Sequence, residues 1–168
     1  MTIFLYEASV PVLTRYLRQL DAMLDLAASH TDTAALLAAR LAPSMHPFSS
    51  QVEITANFAV RACAPLAGRL ERDSGSHPAT LAGLRARIAW VLHYLDGLPP
   101  LGYGAVGPIA DQAGDATVTL PPQTYLMHYT LPNFFFHLTC AYALLRHMGV
   151  DIGKGDFDGF HLYPRSTA

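Results

Sequence analysis

An asparagine and a histidine four residues apart, Asn133 and His137, are the residues whose types and spacing could do chemistry. In an α-helix this spacing places two side chains on one face, about one turn apart. Burying an amide and an imidazole is costly unless both groups find hydrogen-bond partners. A neutral imidazole can accept a proton, accept a hydrogen bond or bind a metal ion. The pair is therefore the main candidate for a functional site.

The segment that carries the pair, residues 132–149, has the pattern of a helix. Its stripe continues from His137 to Leu144 and Met148 at helical intervals, and Gly149 suits the left-handed residue that closes a helix. Because Leu144 and Met148 must be buried for this helix to pack, we expect His137 to be buried with them. Desolvation lowers the pKa of a buried imidazole, so His137 should be neutral near pH 7.

An earlier helix supplies the expected partners of the pair. A helix is predicted over 47–70, and Gln51 lies on its apolar stripe and therefore faces the core. His46 flanks the start of this helix and can reach inward only from the end of the fold. We expect Asn133 and His137 to meet Gln51 first and His46 second.

Four apolar stripes at the helical period predict the elements that position these residues. The predicted long helices lie near 9–29, with Ser9 as N-cap, and near 47–70, 80–96 and 123–148; a short helix is predicted near 33–41. Glycines and prolines are concentrated in 97–122, which predicts a long non-helical crossover with at most a brief strand near 118–120. The tail from Asp151 should lie irregularly on the surface. The pattern predicts an all-α four-helix bundle with one domain over 1–168.

Composition limits the classes of partner. Hydrophobic residues make up 51% of the chain and charged residues only 14%, which favours a homodimer that covers part of one apolar face. A net charge of −2 without a basic run gives no reason to expect nucleic acid. No apolar run reaches the roughly 18 residues of a membrane span, and no signal peptide is visible. Cys63 and Cys140 resemble small buried hydrophobes rather than a disulfide pair, which favours the reducing cytoplasm. We therefore expect a cytoplasmic protein, and the absence of a membrane span predicts no membrane partner.

Several short segments resemble the DinB/YfiT-like superfamily, whose members are proposed to be metalloenzymes. They are Met45-x-Pro47 at the entry to the second long helix, Leu-Pro-Asn-Phe-x-Phe-His at 131–137, Leu-Arg-His-Met-Gly at 145–149 and Gly-Lys-x-Asp-Phe at 153–157. The last helix and the tail are most similar to an uncharacterised branch. The resemblance implies a DinB-like four-helix bundle, often dimeric, in which three histidines can hold a divalent metal such as zinc or nickel. The wider superfamily includes thiol-dependent transferases and an isomerase.

Only part of the implied ligand set is present in this chain. The superfamily has two histidines four apart on the last helix; His137 matches the second, and Asn133 stands at the first. The second helix offers His46 or Gln51, so the metal ligands that the resemblance suggests are His46 and His137. Amide oxygens are weak ligands for zinc. The alternative is a buried hydrogen-bonded network of Gln51, Asn133 and His137.

Two functional hypotheses remain open at this point. The first is a small-molecule enzyme with a degenerate or weak metal site at the end of the bundle. The second is a non-catalytic dimeric bundle that binds a small ligand or acts as a scaffold. Gln51, Asn133 and His137 are the predicted ligand-binding residues in either case, and a substrate is not identifiable from the sequence.

Overall fold

The computed structural model describes residues 2–29, 32–70 and 74–163. Its elements in chain order are α1 (Thr2–Glu7), α2 (Val10–Ala27), α3 (Thr33–Ala38), α4 (Phe48–Leu66), α5 (Leu81–Asp96), β1 (Ile109–Ala113), β2 (Ala116–Leu120), α6 (Pro122–Thr124), a π-helical turn (Tyr125–Thr130), α7 (Leu131–His147) and α8 (Lys154–Asp158). The fold is mostly helical with one small sheet. Within the part of the chain described, no helix combines the length and hydropathy needed to span a membrane.

Four long helices, α2, α4, α5 and α7, pack around one hydrophobic core. The stripe of α2 is fully buried at Leu13, Leu17, Leu20 and Leu24. α4 packs against both α5 and α7, which explains why it is apolar on more than one face. α2 and α5 begin and end close to their predicted bounds. α4 ends at Leu66, earlier than predicted, because Pro65 occupies its last turn.

The connection between α5 and the last helix contains more regular structure than the sequence predicts. β1 and β2 form an antiparallel hairpin in which Ile109 pairs with Leu120 and Ala113 with Ala116. Gly114 stands in its turn with a φ of +61°, a value that glycine adopts without a steric penalty. The sequence pattern indicates only part of β2. The last predicted helix is also interrupted, since a π-helical turn precedes α7.

Ser9 stands at the predicted N-cap position of α2, but its side chain does not cap that helix. Its hydroxyl donates to the carbonyl oxygen of Leu5 at 2.7 Å and lies 2.8 Å from the hydroxyl of Tyr103. The cause is α1, which precedes α2 directly and offers a carbonyl acceptor to Ser9. The predicted capping role is therefore wrong.

The prediction of an irregular tail is also wrong where α8 forms. α8 packs on α2, and Gln19 Nε2 donates to the carbonyl oxygen of Asp156 at 3.1 Å. The ring of Phe157 meets the rings of Tyr16 and Tyr142 edge-on. An apolar anchor and a donated hydrogen bond thus hold this short helix on the body of the protein.

Candidate functional site

The predicted contact between His137 on α7 and Gln51 on α4 is present. Nδ1 of His137 lies 2.7 Å from Oε1 of Gln51. The Gln51 side chain is 1% exposed, and its Nε2 donates to the backbone carbonyl of His46 at 3.2 Å. Because Oε1 can only accept, Nδ1 of His137 must carry the proton and donate it. Nε2 of the neutral ring therefore keeps its lone pair.

The surroundings of His137 favour its neutral form. His137 is partly buried, and not fully buried as the sequence predicts. This partial burial lowers the pKa of His137 below its ordinary value of 6.5, and the nearby His46 lowers it further. The ring stacks on Phe58 with centroids 5.8 Å apart and meets Phe136 edge-on at 5.1 Å. Apolar rings solvate an imidazolium poorly. Near pH 7 this side chain is an acceptor rather than a cation.

His46 lies at the edge of the site and not inside it. The residue is exposed and precedes α4, as the sequence predicts. Its backbone carbonyl, rather than its imidazole, makes the hydrogen bond with Gln51. The ring is nevertheless close enough for its charge to influence the pKa of His137.

Asn133 does not make the predicted contact with the second long helix. Its Nδ2 donates to the carbonyl oxygen of Tyr129 at 2.7 Å, one turn earlier along its own segment. Short polar side chains readily form such local bonds to the backbone. The Asn133 amide therefore lies against the π-helical turn. Among the described residues, no hydrogen bond joins this amide to α4.

A second polar cluster, which sequence reasoning missed, adjoins the site and is centred on Arg61 of α4. Nη2 of Arg61 lies 2.7 Å from Oδ1 of Asp111 and 2.8 Å from the carbonyl oxygen of Gln112, both on β1. It also donates to the hydroxyl of Tyr129 at 3.1 Å. The guanidinium covers the ring of Phe58 at 4.6 Å. Phe58 is thus in contact with both Arg61 and His137.

Two tyrosines of the π-helical turn complete this cluster. The hydroxyl of Tyr125 lies 2.9 Å from both the Arg61 carbonyl oxygen and Oδ2 of Asp111. The hydroxyl of Tyr129 donates to the carbonyl oxygen of Gln112 at 3.0 Å. The cluster therefore ties the hairpin, the π-helical turn and α4 together beside the histidine. Arg61, the one basic residue of α4, was the only signal for it in the sequence.

The residues around His137 do not fit a tightly held zinc ion. Catalytic zinc usually has three imidazole, thiolate or carboxylate ligands in addition to water. The described residues supply the imidazoles of His46 and His137, while the oxygen of Gln51 already accepts a hydrogen bond. Across residues 2–29, 32–70 and 74–163, no three His, Cys, Asp or Glu side chains form a metal-binding group.

The helical fold is that of a DinB-like protein. A DinB family member protein from Shewanella denitrificans is similar in structure, with a TM-score of 0.84 and 31% identity over 97% of this chain and 96% of that chain. The DinB-like fold that the sequence segments indicate is confirmed. The chain belongs to the family described as a domain of unknown function, DUF1993, whose model matches residues 5–158. A comparison with curated proteins gave no match.

Proposed function

We propose that this DUF1993 protein is a small-molecule enzyme whose central group is the imidazole of His137. The observation that supports the proposal is the hydrogen bond from His137 to the buried amide of Gln51. A fixed tautomer with a lone pair on Nε2 is what a general base or a ligand-orienting acceptor needs. In this proposal the four long helices form a DinB-like four-helix bundle, and residues 97–122 are the crossover that leads to the last helix.

The proposed chemistry is proton transfer or hydrogen bonding at Nε2 of His137. A substrate proton would move to Nε2, and the imidazolium would keep its bond from Nδ1 to Gln51. Since an amide oxygen is neutral, it stabilises this cation less than a carboxylate would, which keeps the base weak and readily regenerated. The exposed ring of Phe136 would contact the apolar part of the ligand, and Asn133 would bind it one turn away.

A weak divalent-metal site is the second version of the proposal, and it would replace the proton transfer because a metal would occupy Nε2 of His137. Zinc or nickel would then be held by the imidazoles of His46 and His137, and it would supply Lewis acidity next to the substrate. Two imidazoles without an anionic ligand argue for low affinity.

Zinc titration of protein purified without a metal-affinity column tests this assignment. The unmodified protein should bind one equivalent, and His137→Ala and His46→Ala should each weaken binding by at least about tenfold. His93→Ala removes an exposed histidine of α5 and should bind zinc like the parent. Binding that is absent, or equal in all four proteins, would rule out the metal site. A His137→Ala variant that loses only thermal stability would favour the structural alternative.

The alternative is a non-catalytic dimeric bundle that binds a ligand or acts as a scaffold. It is favoured by one observation: His137 and Asn133 both have hydrogen-bond partners within the chain. In this case the Gln51, Asn133 and His137 side chains would stabilise the fold and do no chemistry.

We propose a homodimer under either hypothesis, and Phe136 is the best marker of its interface. Phe136 is 54% exposed on α7, and Met127 is 40% exposed in the π-helical turn. Light scattering at micromolar concentration should give twice the chain mass of 18.2 kDa. Phe136→Glu should shift the mass toward the monomer, whereas Leu101→Glu, at a 91% exposed position, should not. A parent mass near 18.2 kDa would contradict the dimer.

A further inference from the structure

Lys154 is the only lysine in the chain, and it lies next to a histidine that is itself paired with a carboxylate. Its Nζ is 3.3 Å from Nε2 of His161. Nδ1 of the same ring is 2.5 Å from Oδ2 of Asp158. The three groups therefore stand in the order carboxylate, imidazole, amine. This is the order of groups that activates nucleophiles in enzymes of several unrelated folds.

The hydrogen bonds around His161 determine which of its nitrogens carries the proton. Asp158 is 7% exposed and accepts hydrogen bonds from the backbone N–H groups of Phe160 at 2.8 Å and His161 at 3.1 Å. Chiefly through the first of these bonds, the pKa of Asp158 is lowered to about 2, so the carboxylate is ionised. A carboxylate beside Nδ1 holds the proton there. Nε2 then presents its lone pair to Lys154.

The tail that carries these groups is docked on the body of the protein. Arg15 of α2 covers the ring of Phe160 at 4.0 Å, and Gln19 donates to the carbonyl oxygen of Asp156. The chain turns back at Gly159, whose φ is +69°. The backbone N–H of Gly159 donates to the carbonyl oxygen of Gly155 at 2.8 Å. The turn places His161 over the first residues of α8. The spacing of the three groups is thus built by tertiary contacts.

A cleft of about 400 Å³ opens beside the imidazole. Its walls include Arg146, His161 and Tyr163, and the carboxylates of Asp151 and Asp156 also line it. Asp156 is engaged at the start of α8, where it accepts from the backbone N–H of Gly153 at 2.8 Å. A small acyl compound in the cleft would contact the His161 imidazole, whose Nε2 lies 3.3 Å from Nζ of Lys154, and Lys154 itself is exposed.

We propose that Lys154 is a self-acylation site for activated acyl compounds, the class of thioesters and acyl phosphates. The lysine nitrogen attacks the acyl carbon, a C–N bond forms, and the C–S or C–O bond to the leaving group breaks with its electron pair. Before the attack, Nε2 of His161 takes one proton from the ammonium group, and Asp158 stabilises the imidazolium. The second proton leaves the nitrogen after the C–N bond has formed and goes to the leaving thiolate or phosphate. Water then takes the first proton from the imidazolium. The product is an uncharged amide. This inference is independent of the function proposed for His137.

Acetylation of the purified protein, followed by peptide mass spectrometry, tests the proposal. The protein and a capped reference peptide of residues 150–158, which has the same lysine without His161, react in one tube with acetyl phosphate or with an acetyl thioester. General-base assistance should make Lys154 of the folded protein react at least about tenfold faster than the peptide. The faster of the two donors identifies the acyl source. Equal rates in protein and peptide for both donors would overturn the proposal without the need for any variant.

Variants then assign the effect to the imidazole. His161→Gln should reduce the rate to that of the peptide, and His93→Gln should leave it unchanged. Asp158→Asn retains an acceptor for the backbone N–H groups and should give an intermediate rate. Hydrogen exchange of the Gly159 amide reports whether the tail stays docked. His161→Gln with the parental rate would contradict the proposal.

Discussion

Replacement of Arg61 by alanine is expected to lower the free energy of unfolding by about 3 kcal/mol or more. The Arg61 side chain is 24% exposed and that of Asp111 only 10%, so the pair is largely removed from water. Without the guanidinium the Asp111 carboxylate stays buried with no opposite charge. The variant also loses the hydrogen bonds to Gln112 and Tyr129 and the cover over Phe58. Urea unfolding followed by circular dichroism measures the loss.

Two further variants separate the ion pair from a general effect of removing arginine. Arg69→Ala removes an exposed arginine just after α4 and should change stability by no more than about 0.5 kcal/mol. The double variant Arg61→Ala with Asp111→Ala should cost less than the sum of the single variants, because neither charge is then left buried alone. Strict additivity, or an Arg61→Ala loss as small as that of Arg69→Ala, would show that the pair behaves as an ordinary surface contact.

Gln51→Glu should produce the largest change at the candidate site, a rise in the pKa of His137 by about 1–3 units. The substitution keeps the shape of the side chain and places a carboxylate against Nδ1, which lies 2.7 Å from the present amide oxygen. A titration of the His137 ring by NMR measures the shift directly. Gln51→Leu, which removes the acceptor without adding charge, should not raise this pKa. It should cost about 1–3 kcal/mol because two polar groups lose their partner.

The same substitution should reverse the contribution of His137 to the pH dependence of stability. In the parent the folded-state pKa of His137 lies below 6.5, so the unfolded chain binds more protons and this contribution is lost as the pH falls below that value. With a raised pKa the folded state binds more protons, and the contribution is lost as the pH rises above 6.5. Urea unfolding midpoints of the parent and of Gln51→Glu, each measured at about pH 5 and about pH 8, give the direction in which the stability of each protein changes with pH. An unchanged titration of His137 in Gln51→Glu would mean that the two side chains do not touch in solution.

The four long helices and the contact of Gln51 with His137 could be predicted from the sequence alone. The reason is that helical periodicity is local: Leu13, Leu17 and Leu20 lie on one face of α2 wherever that helix packs. Gln51 and His137 each lie on the apolar stripe of a helix. When both stripes are buried in the same core, the side chains on them come into contact. The DinB-like class followed from segments that are contiguous in the chain.

Only the tertiary structure decided which other polar groups meet. Arg61 and Asp111 are paired through the hairpin, and no spacing rule relates two residues so far apart. Asn133 lies on the same helical stripe as His137, yet its hydrogen-bond acceptor is a backbone carbonyl oxygen of the π-helical turn. His161 reaches Lys154 because the tail docks on α2 and turns back at Gly159. A local pattern determines which face of an element is buried, whereas the partner of a polar side chain depends on where the other elements come to lie.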